Sequence, residues 1–412
     1  MNQKERDIPM ISNELEFPLY IVTAADLIAA YNSAVLADGT YESMAVHEVN
    51  PIHIVEVNLS KARDIRELNQ MVARYVPLLV TEAQNLGGFV YAGSSVLEDV
   101  SLIEPKWHRT TSLSRRCADG FKDITSQQVV LGVSNEQLGM DLYNLFRQIG
   151  PALIAITASS PYSFGTGDFI DTKTQSRRIN QYERLCVSFP PDTWRDLPEL
   201  NSLSEYHLFM RRVSDSVNQR LSKGYMDANE SELYRIRHNE DGSSYSYAPF
   251  DLLEPHQIFL HVRPRPDHAI TENGRSCLLS TEVRVPDIPT TIDRMQVLNS
   301  FVTGLAYYVA DNGVICNPFS GSFEELKRAA RHGLDDKVGG IGMRKIIDNL
   351  REYAYRGLNE RGFVFDAILL GDGVDNILVN GNDADLIRKL GLSKQSDLRY
   401  YLIDRLRTRE ML

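Results

Sequence analysis

The segment Thr281-Glu282-Val283-Arg284-Val285 alternates apolar and ionic side chains with a period of two, the pattern of a β-strand rather than a helix. Val283 and Val285 can then lie against a core while Glu282 and Arg284 share the opposite face. Alone, such a strand reads as half-buried, with its polar side in water. Its surroundings add a second reading. Arg263, Arg265, Arg275 and Arg284 all fall between Arg263 and Thr290 of an otherwise acidic chain, a density of guanidiniums suited to holding an anion such as a phosphorylated substrate.

Two further stretches carry acids in the same way. Ile11 to Ile21 reads as a strand with Glu14 and Glu16 on one face, and Ile52 to Leu59 reads as a strand with Glu56 between Val55 and Val57. Carboxylates so close repel each other. A solvated strand end tolerates that, and a divalent cation would keep both groups ionised, so both readings stand. Glu56 either points into water or meets a partner.

The remaining pattern alternates helices and short strands. Asp64 to Leu86 has helical apolar spacing, with Gly87-Gly88 placed to end it and Pro77 placed to kink it. Phe89 to Ala92 reads as a short strand and Gln127 to Val133 as a longer one. Asn135 can cap a helix reaching Ile149, after which Pro151 opens a new segment. The loop with Gly165, Gly167 and the basic pair Arg177-Arg178 suits either a cover over a ligand or an ordinary surface loop. A helix is expected from about Thr291 to Asp311, ending near Gly313, and Ser322-Phe323-Glu324-Glu325 fits a capping box. Gly339-Gly340-Ile341-Gly342 lacks the Walker spacing of a phosphate-binding loop. Residues from about 190 to 255, with Trp194, are polar and show no clear period.

With 412 residues, 43% of them hydrophobic, and no Pro/Gly/Ser-rich linker, the chain reads as one domain spanning 1–412 with a mainly helical part from about 321. A net charge of -11 disfavours general nucleic-acid binding. The N-terminus lacks the apolar run of a signal peptide and no stretch is long enough to cross a bilayer, so a cytoplasmic protein without membrane contact is expected. Cys117, Cys186, Cys277 and Cys316 form no zinc pattern and read as free thiols, mostly buried. Whether the chain forms a homo-oligomer is left open by its sequence.

Taken in order, Glu14-Leu15-Glu16, Ile54-Val55-Glu56-Val57, Ala155-Ile156-Thr157-Ala158-Ser159-Ser160-Pro161 and Ser176-Arg177 resemble the carboxylate-amine ligases of the glutamate-cysteine ligase type 2 family, relatives of glutamine synthetase. So do Arg263-Pro264-Arg265-Pro266, Thr281-Glu282-Val283-Arg284-Val285-Pro286-Asp287 and Ala329-Ala330-Arg331-His332-Gly333-Leu334-Asp335. The resemblance implies an α+β fold in which a curved, mainly antiparallel sheet forms a funnel with helices packed outside. It implies Glu14, Glu16, Glu56 and Glu282 as metal ligands, Arg284 as the residue that stabilises the transferred phosphate, and Arg177 and Arg263 as contacts to ATP or substrate. Arg265 joins them from the cationic cluster. Where the family commonly reads His-Val-His-Val-Gly, this chain has Gln128-Val129-Val130-Leu131-Gly132, and Ile52 stands at a commonly acidic position, which thins the metal site.

The activity so implied is ATP- and Mg2+-dependent joining of a small carboxylate to an amine, with Mn2+ as an alternative cation. The amide expected is γ-glutamyl or similar, formed through an acyl phosphate. Two rivals belong to other classes: a noncatalytic relative that binds a metabolite or partner, and a phosphotransferase that stops after phosphorylating a small molecule.

Overall fold

The structure is a computed structural model and describes residues 7–39, 42–47, 52–98, 123–165, 168–180, 196–222, 236–238, 244–246, 260–266, 270–272, 275–392 and 394–408. Cys117, Cys186, Trp194 and half of the polar 190–255 region lie outside these residues. In chain order the first half contains β1 (Met10–Tyr20), α1 (Ala24–Ala37), β2 (Ser43–His47), β3 (Ile54–Ala62), α2 (Ile65–Asn85), β4 (Phe89–Val90), β5 (Gln127–Val133), α3 (Glu136–Thr157), β6 (Tyr162–Gly165), β7 (Asp168–Asp171) and α4 (Leu203–Ser222). Then come β8 (Ile236–His238), β9 (Ser244–Ser246), β10 (Val262–Arg265), β11 (Ile270–Glu272), β12 (Arg275–Cys277), β13 (Leu279–Val283), α5 (Ile292–Asn312) and α6 (Phe323–His332). The last elements are β14 (Lys337–Val338), β15 (Ile341–Gly342), α7 (Met343–Glu360), α8 (Val364–Asn380), α9 (Asp383–Lys389) and α10 (Gln395–Arg407).

Seven strands form one sheet in the order β10-β13-β5-β1-β3-β2, with β4 paired to β1, and every pairing in it is antiparallel. The period of two decides what each face carries. Leu15, Phe17, Val55, Val57, Leu59, Val129, Leu131 and Val283 are buried on the face packed against α2, α3 and α5. The alternate positions put Glu14, Glu16, Glu56, Gln128 and Glu282 on the other face.

The helices start where the sequence offers a cap. Asp64, Asn135, Thr291 and Ser322 each accept a backbone N–H from the first turn of α2, α3, α5 and α6, satisfying donors that a helix leaves unpaired. At α6 the reciprocal half of the expected capping box is absent, because Glu325 instead accepts from the N–H groups of Ser320 (3.0 Å) and Gly321 (3.0 Å). Helix α3 does not stop before Pro151 but runs through it to Thr157. Proline at that position removes one N–H and leaves the carbonyl of Arg147 without its helical donor. The buried imidazole of His261 lies beside the Arg147 backbone.

Two glycines allow α5 and α7 to touch backbone to backbone. A Cβ on Gly304 would lie 2.4 Å from the Ala354 carbonyl oxygen, and one on Gly357 would lie 2.1 Å from the Gly304 oxygen. Gly339 and Gly340, both in the left-handed region, make the two-residue turn of the β14–β15 hairpin. The helix that follows begins at Met343 without a side-chain cap. One apolar core runs from Ile8 to Leu406, with a smaller cluster of Tyr91, Leu97, Tyr162, Ile387, Leu398, Leu402 and Ile403 under the C-terminal helix. Among the described residues no helix is long and apolar enough to cross a membrane.

Candidate active site

Antiparallel register arranges the uncovered sheet face in rows, because directly paired residues share a face. In one row Arg263 pairs with Glu282, Glu282 with Val130, and Val130 with Ser12. The next row pairs Gln128 with Glu14 and Glu14 with Asn58, and the third pairs Glu16 with Glu56. All four sequence-predicted carboxylates therefore lie together on one face, as do Arg263 and Arg265. Arg284 follows β13 directly and keeps its place because its N–H donates to the His261 carbonyl (2.9 Å).

The β10–β13 side of this face is cationic. Glu282 is ion-paired with Arg263, with Arg265 (3.4 Å) and with the Nε of Arg284 (3.3 Å). Burial pushes its carboxyl up, but the guanidiniums of Arg284, Arg263 and Arg265 outweigh burial and hold it down at about 2. Glu282 is therefore a carboxylate throughout the neutral range. It fixes three guanidiniums in one place, and the excess positive charge suits phosphate oxygens.

Toward β1 and β3 the balance reverses. Burial, then the carboxylates of Glu282 and Glu56, push Glu14 up to about 8. Burial also raises Glu16, against the opposing effect of Arg178. Glu56 accepts a hydrogen bond from Asn58 Nδ2 (2.7 Å), while Glu14 accepts none from a described residue. Crowded carboxylates with too few donors are what a divalent cation neutralises, and the hard oxygen set suits Mg2+ or Mn2+. Among the described residues, however, no three His, Cys, Asp or Glu side chains converge closely enough to hold a metal ion by themselves. Glu14 and Glu56 would be the protein's contribution to a cation whose other ligands come from water and phosphate.

Two residues that the sequence reading named without a role at the centre complete it. Gln128 donates from Nε2 to Glu16 Oε1 (3.0 Å) and accepts at Oε1 from Arg284 Nε (3.0 Å), joining the acidic and cationic halves. Its place in the strand pattern beside Val130 was visible, but the side chain it would meet was not. Arg178 is almost fully buried, lies 3.9 Å from Glu16 Oε2, and donates to the Arg284 carbonyl (3.1 Å). Its neighbour Arg177 pairs with Asp123 and contacts Ser95 Oγ (3.4 Å), so the two arginines serve different parts of the site. Arg275 stands on the separate β11–β12 hairpin, and Ile52 is 44% exposed outside the ladder.

Beneath the face, Asp287 accepts from the Ser159 N–H (3.0 Å), Ser160 Oγ (2.9 Å) and Ser176 Oγ (2.8 Å), and Ser160 Oγ in turn accepts from the Arg177 N–H (2.8 Å). Burial raises Asp287 to about 6, partly offset by those hydrogen bonds. One carboxylate thus ties the loop after α3 and the arginine-bearing loop to the chain leaving β13.

The sequence profile of glutamate-cysteine ligase family 2 matches residues 14–346. An uncharacterised protein of Archaeoglobus fulgidus is 28% identical over 103 residues, 24% of this chain, and the match spans only 27% of that relative's length. Among solved structures, the chain is similar to glutamate–cysteine ligase from Francisella tularensis in complex with AMP, with a TM-score of 0.62 and 11% identity over 98% of this chain and 90% of that one. A bifunctional glutathione synthetase from Pasteurella multocida gives a TM-score of 0.48 at 11% identity, over 97% and 54% of the two chains. The first of these likenesses shows a shared fold, the α+β arrangement of antiparallel sheet and outer helices expected from the sequence.

Proposed function

The chain belongs to glutamate-cysteine ligase family 2, and on that premise we propose that it is an ATP-dependent ligase that activates a small carboxylate as an acyl phosphate and joins it to an amine. The acid proposed is glutamate, activated at its side-chain carboxylate to give a γ-glutamyl amide. The observation that carries the reading is the sheet face on which Glu282 gathers Arg263, Arg265 and Arg284 beside the carboxylates of Glu14 and Glu56. The large apolar core that runs through the described residues from Ile8 to Leu406 supports assigning the activity to one domain.

A carboxylate resists an amine because its carbonyl is electron-rich and oxide is a poor leaving group. Transfer of a phosphoryl group removes both obstacles, and the difficulty then lies in bringing two anions together. In this reading Arg284 and Arg263 face the transferring phosphoryl group and offset the charge that develops on its oxygens. Glu282 holds their guanidiniums in place, and Arg177 lies at the edge of the site against Asp123. A divalent cation held by Glu14 and Glu56 would draw charge from the phosphate oxygens. The amine then attacks the acyl carbon, the C–O bond to phosphate breaks, and the amine's proton leaves to solvent or a neighbouring base. No nucleophilic side chain takes part, and Cys277, buried with its thiol pushed up by burial, has no role.

The test is ADP release from Mg-ATP and pooled amino acids, with and without hydroxylamine, which converts an acyl phosphate to a hydroxamate whatever the natural amine. Hydroxamate formation is expected, and it should disappear in Arg284→Ala. ADP release without hydroxamate would favour a phosphotransferase, and nucleotide binding with neither product would favour a noncatalytic relative.

A further inference from the structure

The four carboxylates on the sheet face are unequal in what they have left to offer. Neither oxygen of Glu282 is open to a cation: Oε2 is taken by Arg263 and Arg265, and Oε1, which accepts no hydrogen bond from a described residue, lies 3.3 Å from the Arg284 guanidinium. Both oxygens of Glu16 are taken: Oε2 accepts from Ser126 Oγ (2.8 Å) and Oε1 from Gln128 Nε2 (3.0 Å), with Arg178 3.9 Å away. An amide NH2 has no lone pair for a cation, and its hydrogen occupies a lone-pair direction of the carboxylate. Three guanidiniums around Glu282 repel a cation outright. What remains is Glu14, which accepts no hydrogen bond from a described residue, and the Glu56 oxygen not bonded to Asn58.

We propose that this chain presents only two carboxylates, Glu14 and Glu56, to a divalent cation, that the ion therefore binds as part of the nucleotide complex and not to the free protein, and that Gln128 is the positioning residue that withdraws Glu16 from it. The proposal rests on the ligase reading, since a bound nucleotide supplies the missing oxygens. Small divalent ions of the Mg2+ type demand six oxygens in near-octahedral geometry and give up water reluctantly, so two carboxylates alone compete poorly with hydration. Phosphate oxygens fill the set when the nucleotide is present. Gln128 suits its role because a neutral amide can satisfy both neighbours at once, its oxygen accepting from Arg284 Nε (3.0 Å) while its nitrogen donates to Glu16. No charged or purely apolar side chain can do both.

The experiment is Mn2+ titration of the full chain, followed by loss of the free-ion paramagnetic resonance signal, with and without the β,γ-imido analogue of ATP. The expected result is one Mn2+ retained per chain with the analogue and no stoichiometric binding without it. Glu14→Gln and Glu56→Gln should each weaken Mn2+ retention in the presence of the analogue by tenfold or more. Gln128→His, which removes the amide and adds a lone-pair nitrogen beside Glu16, should create Mn2+ binding without nucleotide at least tenfold tighter than in the native chain. One or more Mn2+ bound stoichiometrically to the native chain without nucleotide overturns the proposal, and this arm needs no variant to fold. Calorimetry of the analogue alone separates the two readings. If the analogue binds and Mn2+ also binds without it, only this inference falls; if the analogue binds under no condition, the ligase reading falls and takes the inference with it.

Discussion

Glu282 and Glu14 are the same residue type on the same sheet face, and both are largely removed from water, yet their ionisation is opposite. Three arginines hold Glu282 at about 2, while burial, and then two carboxylates, drive Glu14 to about 8. Burial raises both carboxyls and is the largest cause at Glu14, so what separates the two is the neighbouring charge, which reverses burial at Glu282 and adds to it at Glu14. Without its ligands the site is built against itself on the β1–β3 side and in its own favour on the β10–β13 side.

The sharpest way to break this comparison is to empty the cationic side of its acid. Glu282→Ala leaves three clustered guanidiniums without their counter-charge, and the expected cost is roughly 3–5 kcal/mol in urea denaturation together with loss of turnover. A change below about 1 kcal/mol would mean that Glu282 does not organise the arginines. On the acidic side, Glu14→Gln should have the opposite sign. The folded-state value near 8 lies above the ordinary 4.5, so the folded state holds an extra proton between them. That contribution to stability is fully present below the unfolded value and is lost as pH rises through the folded one. Ligand-free native protein should therefore lose about 2–4 kcal/mol between about pH 5 and pH 9 through this group, and Glu14→Gln should flatten that slope. Equal slopes in the two proteins would sink the assignment.

Two smaller effects refine the picture. Asp287→Ala removes the acceptor shared by Ser159, Ser160 and Ser176, and is expected to cost about 2 kcal/mol and to raise KM more than it lowers kcat, since it loosens the loop of Arg177. Arg265→Ala should do least, because its contact with Glu282 is the longest of the three at 3.4 Å and its side chain is the most exposed of the three. About 0.5–1 kcal/mol and a few-fold loss in turnover are expected, measured beside Arg263→Ala as the stronger neighbour.

Much of this was legible because it depends on local rules. The period of two put Glu14, Glu16, Glu56 and Glu282 on strands, Gln127 to Val133 was found with its observed bounds, and Asp64, Asn135, Thr291 and Ser322 announced their helices. Failures came where a distant residue decides a local outcome. Pro151 ends a helix by every local argument, yet α3 runs through it, packed against α6, β10 and β13. The assignment of Arg178 to Glu16 and of Arg177 to Asp123 depends on a loop turn that no periodicity encodes. Strand β13 starts two residues before the alternation suggested and ends at Val283, since the ladder is set by β5 and β10 and not by the strand's own pattern. Gln128 shows the same limit: its position was plain, whereas its bridge required three strands in register.

The guanidinium of Arg399 on α10 lies 3.9 Å from the centre of the Tyr20 ring at the end of β1, and its Nη2 donates to the Leu97 carbonyl across 302 residues of sequence. Arg407 stacks on Phe89 in the same way, at 5.3 Å. The strand bearing Glu14 and Glu16 is thus clamped by a helix that lies far along the chain from it. A growing chain can pair β1 with β3 early, but it cannot close this clamp until α10 has been made. Such contacts make folding slow, and they leave the carboxylate strand incompletely held in any nascent intermediate.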